Sequence, residues 1–312
     1  MKKIIAIALG LCVMLGLCSC SGNASETQRE SVEPRAAEVD LDAIMEAVEK
    51  ELPEEGFKPE IGIVLGSGLH PLADEVEVVK TIPYEALPGF PHSTVAGHEG
   101  KYILGYLEGV PVILMDGRIH YYEGYTMEEV VTPDRVMARL GADTVILTNA
   151  VGSLREDLEP GTIACVKDHI SSFIPNPLIG QNDEELGERF VPMSGAYDED
   201  LRKTAHETAA ELNIDLPDSV YLQVTGPTFE TAAESEFYAS CGADTVGMST
   251  ACETIALRHM GVKVLCFNCV SNYCPNVSGE GTSHEEVQDT VDKMSKDLVK
   301  LVGATVKKIA DK

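Results

Sequence analysis

Short apolar runs alternate with helical patterns along most of the chain, and this alternation constrains the fold more than any other feature of the sequence. Two of the runs flank Glu108-Gly109 and predict a β-hairpin. The strand candidates are residues 61–65, 102–107, 110–115, 144–148, 162–166, 220–224, 245–247 and 262–270, and the helical patterns cover residues 126–140, 198–212, 232–241, 250–259 and 283–309. Strands that alternate with helices, with one hairpin among them, predict a single α/β domain with a central mixed β-sheet flanked by helices.

The N-terminal segment has the features of an export signal. The chain begins Met-Lys-Lys and continues with an uncharged apolar run to residue 17, which is too short to span a bilayer and is typical of a secretory signal peptide. The sequence LCSC at residues 17–20 resembles the bacterial lipobox. We therefore predict a signal peptide at residues 1–19, lipidation of Cys20, and an extracytoplasmic protein anchored by lipid to a bacterial membrane. Ordinary cleavage after a small residue such as Ser19 or Ala24 is the alternative.

A polar segment separates this signal from the folded domain. Residues 20–40 are acidic and contain few large apolar side chains, which predicts a flexible tether. Apolar residues at helical spacing then begin at Leu41, and Pro53 ends that pattern. The domain is therefore predicted to span residues 41–312.

The net charge excludes some classes of partner. The chain has 24 Lys and Arg against 51 Asp and Glu, a formal net charge of −27. A field of this sign repels polyphosphates, so binding to nucleic acid, or to an anionic membrane through broad electrostatic attraction, is not expected. An anionic substrate would need a locally positive pocket.

The cysteines of the domain lack the regular spacing of a disulfide framework. Cys266 and Cys269 form a CxxC pair, but they lie in an apolar strand candidate, where residues three apart face opposite sides of a sheet. We therefore predict buried structural thiols there rather than a metal or redox pair.

Glycine-rich segments follow several predicted strands, at the position where open α/β sheets bind their ligands. Ser67, in Gly-Ser-Gly at residues 66–68, belongs either to a phosphate-binding turn or to a tight packing turn. His98, in GHEG at residues 97–100, faces either a ligand or solvent. Glu230, in GPTFET at residues 226–231, precedes a predicted helix, and spacing alone favours a helix N-terminal acid.

The segment GRIHYYEGY at residues 117–125 carries the densest set of polar groups. It gathers a guanidinium, an imidazole, phenols and a carboxylate directly after a buried strand. Arg118 offers the planar fork that suits bidentate phosphate binding. A plain surface loop seldom collects so many hydrogen-bonding groups, so this segment is predicted to be functional.

Taken in order, the motifs GSGL, GHEGK, GRIHYYEGY, TNAVGS, GPTFET, GMST, SNY and SHEEV closely resemble those of the trimeric purine nucleoside phosphorylase family, from about residue 61 to residue 301. The resemblance implies a pentosyltransferase of purine salvage. In this family inorganic phosphate displaces the base from a purine (deoxy)ribonucleoside, giving the free base and (deoxy)ribose 1-phosphate. The family is expected to need no metal and no organic cofactor, and inorganic phosphate is a co-substrate.

The resemblance also implies roles for individual residues. Those predicted to bind phosphate are Ser67, His98, Arg118, His120, Ala150 through its backbone N–H, and Ser249. Those predicted to bind the nucleoside are Tyr122, Phe190, Phe229, Glu230, Met248, Asn272 and His284. The predicted catalytic residues are Asn272, Glu230 and His120. Phe190 matches an aromatic residue that this family inserts into the neighbouring subunit's site, which implies a homotrimer.

Base selection is predicted from the residues that contact the purine. Methylthioadenosine phosphorylases are expected to carry Asp at the position of Asn272 and Thr at that of Ser249, so the sequence favours inosine and guanosine. Tyr273 and Cys274 depart from the family pattern and leave fine base specificity open. The alternatives are a non-catalytic nucleoside-binding lipoprotein and a methylthioadenosine phosphorylase.

Overall fold

The computed structural model describes residues 39–53, 56–66, 70–94 and 100–312. The predicted signal peptide, Cys20 and nearly all of the predicted tether lie outside the described residues, as do Ser67 and His98. The described residues form one compact unit. Among them, no helix is both long enough and apolar enough to cross a membrane.

Five of the seven helices in the described residues begin at a residue whose side chain caps the helix. The helices are α1 (Leu41–Glu51), α2 (Met127–Arg139), α3 (Glu199–Leu212), α4 (Ala232–Ser240), α5 (Thr250–His259), α6 (Pro275–Ser278) and α7 (His284–Ala310). Thr126, Thr231 and Ser283 each accept a hydrogen bond from the backbone N–H three residues on, and a glutamate at that position returns the contact. These capping boxes satisfy N–H groups that the helix itself leaves without partners.

The strands form a single mixed sheet, as predicted. They are β1 (Ile61–Val64), β2 (Glu77–Pro83), β3 (Lys101–Leu107), β4 (Val110–Asp116), β5 (Thr144–Ser153), β6 (Ile163–Ile170), β7 (Asp218–Gln223), β8 (Thr245–Gly247) and β9 (Lys263–Tyr273). The sheet has nine strands in the order β2-β3-β4-β1-β5-β8-β7-β6-β9. β5 also pairs with β9, so β5, β9, β6, β7 and β8 close into a ring. The pairings β1–β4, β1–β5, β5–β9, β6–β7 and β7–β8 are parallel, and β2–β3, β3–β4, β5–β8 and β6–β9 are antiparallel.

Helices cover both faces of this sheet. Alternate strand residues belong to two separate buried clusters, one packed against α1, α2 and α5 and the other against α3 and α7. Cys266 lies in the first cluster and Cys269 in the second, and both are free thiols. The prediction that this CxxC pair faces opposite sides of the sheet is therefore confirmed, because strand side chains alternate.

Four strands differ from the sequence-based expectation. β2 was not predicted, because most of its side chains are exposed and it pairs only with β3 at the edge of the sheet. β5, β6 and β9 continue past their predicted ends, through residues 149–153, 167–170 and 271–273. Their polar residues and Gly152 weaken the apolar pattern, but pairing with neighbouring strands completes the backbone hydrogen bonds.

Candidate active site

One cavity lies where the carboxyl ends of β4, β5, β8 and β9 approach the start of α7. It brings together ten side chains that the sequence analysis selected, namely Arg118, His120, Tyr122, Ala150, Phe229, Glu230, Met248, Ser249, Asn272 and His284. These residues come from segments more than 100 positions apart. The sheet gathers them because the ends of its parallel strands meet at one edge.

Phe190 lies elsewhere. Its side chain is 86% exposed and does not line the cavity of its own protomer. Apolar side chains exposed in a contiguous patch mark interaction sites, whereas a single exposed ring does not.

The guanidinium of Arg118 is held by a carboxylate that the sequence analysis did not select. Nε donates to Oε1 of Glu253 at 2.6 Å and Nη2 donates to Oε2 at 2.9 Å, while Nη1 donates to the carbonyl of Thr148 at 2.8 Å. Arg118 and Glu253 are both buried. Burial lowers the pKa of Arg118, but the facing carboxylate raises it, with a net increase.

This geometry differs from the expected bidentate phosphate clamp, because Glu253 already occupies the fork of Arg118. One N–H on Nη1 and one on Nη2 have no acceptor in these contacts, and Arg118 is among the residues that line the cavity. Since the positive charge of Arg118 is matched by Glu253, a bound anion would need further positive potential.

The N-terminus of α5 supplies part of that potential. Ser249 is the N-cap residue of this helix and lines the cavity, and its hydroxyl contacts Thr250 rather than the helix backbone. Asn149, also in the cavity wall, donates from Nδ2 to the hydroxyl of Thr250 at 2.7 Å. The positive end of a helix with hydroxyl groups around it favours an anion such as phosphate.

A second buried carboxyl group lies near this pair. Asp134, within α2, is fully buried, and neither carboxyl oxygen has a hydrogen-bond partner among the described residues. Burial first, and then the charge of Glu253, raise the pKa of Asp134 well above its usual range. A raised pKa favours the neutral, protonated form of Asp134, in which the charge of Arg118 is matched by Glu253 alone.

His120 is oriented by its own short turn. Its backbone N–H donates to Oε1 of Glu123 at 2.7 Å, and its ring Nδ1 lies 3.3 Å from the same oxygen. Although burial opposes its charge, hydrogen bonds from His120 and Thr94 lower the pKa of Glu123 to about 2. An ionised carboxylate only accepts, so the proton of a neutral His120 ring lies on Nδ1. The ring also stacks on Tyr122, with centroids 4.7 Å apart.

A β-bulge places Asn272. The register between β5 and β9 shifts so that Val151 pairs with Val270 but Gly152 pairs with Asn272, leaving Ser271 as the extra residue. The bulge interrupts the alternation of side chains, and both Ser271 and Asn272 line the cavity. A Cβ atom on Gly152 would lie 2.6 Å from the sulfur of Cys274, so only glycine fits at this position.

The amide of Asn272 has a defined orientation. Nδ2 donates to the carbonyl of Tyr273 at 3.1 Å, and the hydroxyl of Ser271 donates to Oδ1 at 2.8 Å. A backbone carbonyl only accepts, so the nitrogen must face Tyr273. The second N–H of this nitrogen is left for a ligand.

Glu230 is not the helix acid that its spacing suggested. Glu234 fills that role, accepting from the backbone N–H of Thr231 at 2.8 Å in the capping box of α4. Glu230 instead lines the cavity beside Phe229. Burial raises the pKa of Glu230, so a ligand N–H that stabilises its charge would be favoured there.

The remaining selected residues form the rim of the cavity. Gly226 has a positive φ of 65°, and a Cβ atom on it would collide with Met248 and approach Tyr122. Glycine therefore allows Met248 and Tyr122 to close one wall. His284, the first residue of α7, is exposed and also lines the cavity.

Sequence reasoning missed Glu253, Asn149 and Asp134. Asn149 stands in the selected TNAVGS segment, whereas Glu253 and Asp134 lie within helical patterns, where an acidic residue is most often a solvated surface group. For Asp134 a signal was available, because Val130, Val131, Met137 and Ala138, three and four positions away, are apolar and place it on the buried face of its helix.

Comparisons with known proteins agree on one family. The model of the Phosphorylase superfamily matches residues 60–307. Purine nucleoside phosphorylase 1 of Bacillus subtilis is 46% identical over 83% of this chain and 94% of its own length. The Bos taurus purine nucleoside phosphorylase is 39% identical over 78% of this chain and 87% of its own length.

Solved structures agree with these relatives. The Schistosoma purine nucleoside phosphorylase in complex with hypoxanthine has a TM-score of 0.81 and 37% identity, and the match covers 86% of this chain and 96% of that one. The Schistosoma mansoni enzyme in complex with adenosine gives the same values.

Proposed function

The chain belongs to the Phosphorylase superfamily and catalyses purine nucleoside phosphorolysis, and from this premise we propose that its preferred substrates are the 6-oxopurine nucleosides inosine and guanosine, with their deoxy forms. The observation that carries this proposal is the pairing of a donor and an acceptor in the cavity. Asn272 offers an N–H, and Glu230 offers a carboxylate beside Phe229.

The two groups match the hydrogen-bonding edge of a 6-oxopurine. Hypoxanthine and guanine carry an N–H at position 1 of the ring, which a carboxylate accepts, whereas adenine has a lone pair there that a carboxylate repels. A cavity with buried polar groups discriminates strongly against a base that leaves those groups unpaired. Phe229 would stack on the base, and Tyr122, Met248 and His284 would contact the ribose.

The same residues suit the transition state of this displacement. A phosphate oxygen forms a bond to the anomeric carbon as the bond to the base nitrogen breaks, and the electron pair leaves with the base. Asn272 would donate to the ring nitrogen that gains this charge, while phosphate would be held by Ser67, His98, Arg118, His120, Ala150 and Ser249. Positioning and electrostatic stabilisation suffice, so the proposed reaction uses neither a metal nor an organic cofactor.

A base-release assay on the full chain tests the proposed preference. Inosine, guanosine, adenosine and methylthioadenosine are compared with and without phosphate. We expect phosphate-dependent release with kcat/KM for inosine and guanosine at least about 100-fold above that for adenosine. Comparable values for adenosine would contradict the base preference, and a higher value for methylthioadenosine would favour that alternative.

We also propose that the active form is a homotrimer in which Phe190 completes the neighbouring subunit's site. The 86% exposed ring of Phe190 and the 76% exposed side chain of Ile179 lie in the same segment, which supports a covered surface there. The mass of the assembly in solution is the direct measurement.

Mixed assemblies test the role of Phe190. Phe190→Ala and Asn272→Ala are each expected to be impaired, but trimers reassembled from both should regain activity. In such trimers some sites combine an intact Asn272 with Phe190 from the other variant. Phe237→Ala removes another exposed phenylalanine and should have no such effect. Absence of regained activity in verified mixed trimers would count against the shared site.

We further propose that the protein is exported and lipid-anchored through Cys20, where it would release bases from exogenous nucleosides for salvage. Support comes from the basic start, the apolar run and the LCSC sequence. Cys20→Ser is expected to move the protein from the membrane fraction to the soluble fraction. An unchanged distribution would argue against the anchor.

A further inference from the structure

Cys165, His206 and Asp218 form a cluster of metal-ligating side chains away from the nucleoside cavity. The thiol sulfur, an imidazole nitrogen and a carboxylate oxygen all lie within 4.8 Å of one another. None of the three residues lines the cavity described above. The purine chemistry therefore does not account for this cluster.

Rigid elements hold all three ligand atoms. Cys165 and Asp218 are direct partners in the parallel pairing of β6 with β7, and the backbone N–H of Cys165 donates to the carbonyl of Pro217 at 2.8 Å. His206 projects from α3, and its Nε2 lies 2.9 Å from Oδ1 of Asp218. Two ligand atoms of a tetrahedral zinc site, each about 2.0–2.1 Å from the metal, lie only slightly farther apart than this.

The cluster is accessible from one side. Cys165, within β6, is buried, whereas the side chains of His206 and Asp218 are 37% and 35% exposed. A cation entering from solvent would meet the imidazole and the carboxylate first and then the sulfur. The open side leaves room for a water molecule as a fourth ligand.

Arg202 shares this site and orients the carboxylate. It lies one helical turn before His206, and its Nη2 donates to Oδ2 of Asp218 at 2.7 Å. This contact uses the oxygen that His206 does not face. A cation at the site would replace the hydrogen bond between Nε2 of His206 and Oδ1 of Asp218. Such support of a ligating carboxylate is common around protein-bound metals. A thiolate and a carboxylate beside one guanidinium still leave a net negative charge for a divalent ion.

We propose that Cys165, His206 and Asp218 bind one divalent cation of the zinc class, through Sγ, Nε2 and Oδ1. Sulfur, nitrogen and oxygen together suit Zn²⁺ better than Mg²⁺ or Ca²⁺, which prefer oxygen alone. On binding, the thiol of Cys165 releases its proton to solvent and the imidazole binds in its neutral form. The ion joins α3 to the β6–β7 pair and stabilises the fold without taking part in phosphorolysis.

Cobalt titration of the full chain tests the site, because Co²⁺ reports thiolate ligation optically. We expect one equivalent to produce a sulfur-to-cobalt charge-transfer band and the visible bands of tetrahedral cobalt, with Zn²⁺ displacing both. Cys165→Ser should abolish the charge-transfer band, and His206→Gln should weaken binding. Cys241→Ser, which removes an exposed free thiol, is the matched control and should leave the spectrum unchanged.

Thermal unfolding gives a second readout. Zn²⁺ should raise the melting temperature of the full chain but not that of His206→Gln, because an ion that binds only the folded state stabilises it. Inosine phosphorolysis should be unchanged by a chelator, which separates this proposal from the function proposed above. The proposal is overturned if no charge-transfer band forms, if the band persists in Cys165→Ser, or if it disappears in Cys241→Ser.

Discussion

Replacing Glu253 by Gln is expected to lower the free energy of unfolding by about 3–5 kcal/mol, because removing one partner of a buried ion pair leaves the other charge uncompensated. Arg118 is 2% exposed and donates twice to Glu253, at 2.6 and 2.9 Å. A glutamine keeps the shape of the side chain but offers only one acceptor. Urea unfolding of both proteins measures the difference, and the KM for phosphate should rise because Arg118 loses its orientation.

An exposed ion pair of equal length provides the control. Lys308 lies 2.6 Å from Glu211, whose side chain is 69% exposed. Glu211→Gln should cost less than about 1 kcal/mol, since solvent screens both charges. Equal losses in the two variants would show that burial does not set the strength of the Arg118–Glu253 pair.

Asp134 should modify the effect of this substitution. Because its pKa is raised in the folded state, the folded protein holds a proton that the unfolded chain releases above about pH 4. The free energy of unfolding that this proton contributes falls as the pH rises above that value. Urea unfolding at several pH values should therefore show a smaller pH dependence of the free energy of unfolding for Asp134→Asn.

When Glu253 is neutral, Asp134 can ionise and partly balance Arg118. The loss caused by Glu253→Gln should therefore be larger in an Asp134→Asn background, with a coupling of about 0.5–3 kcal/mol. Additive losses would show that the two carboxyl groups do not share Arg118.

Replacing Asn272 by Ala is expected to reduce the kcat for inosine by about 10²–10³-fold, with a much smaller change in KM, as for other donors aimed at developing charge. The β-bulge at Ser271 and the carbonyl of Tyr273 direct one N–H of Asn272 away and leave the other for the departing base. A hydrogen bond that strengthens as the base gains charge acts on turnover more than on binding. Steady-state kinetics with saturating phosphate measures both constants.

Two variants separate the donor from its surroundings. Asn272→Asp keeps the shape but replaces the donor with an acceptor, so inosine turnover should fall while adenosine becomes a better substrate relative to inosine. Ser271→Ala keeps the donor of Asn272 but removes the hydroxyl contacts to Oδ1 of Asn272 and to the carbonyl of Val151, so it should have a smaller effect. Unchanged turnover with weaker binding in Asn272→Ala would contradict a role in catalysis.

Most of the elements could be predicted because their signals are local. Within the described residues, the apolar runs and helical patterns located every helix of nine residues or more, α1 included, and every strand except β2. The exposed edge strand β2 lacked an apolar pattern. The motifs likewise identified ten residues that the structure places in one cavity.

The extension of β5 and β9 depended on their neighbours. Residues 149–153 and 271–273 carry polar groups and a glycine, and they remain extended because the strands beside them supply hydrogen-bond partners. A residue's own propensity does not contain that information.

Local pattern was enough to predict the α/β architecture and the buried CxxC thiols, since periodicity is written within a few neighbouring positions. The residues of the candidate cavity were predicted from the resemblance of short motifs to one family. The tertiary structure alone decided that Arg118 pairs with Glu253, 135 positions away. It also decided that Cys165, His206 and Asp218 lie together and that the carboxyl group of Asp134 has no hydrogen-bond partner among the described residues. Such contacts depend on how helices pack on the sheet, and the free energy of a buried charge depends on which group that packing places beside it.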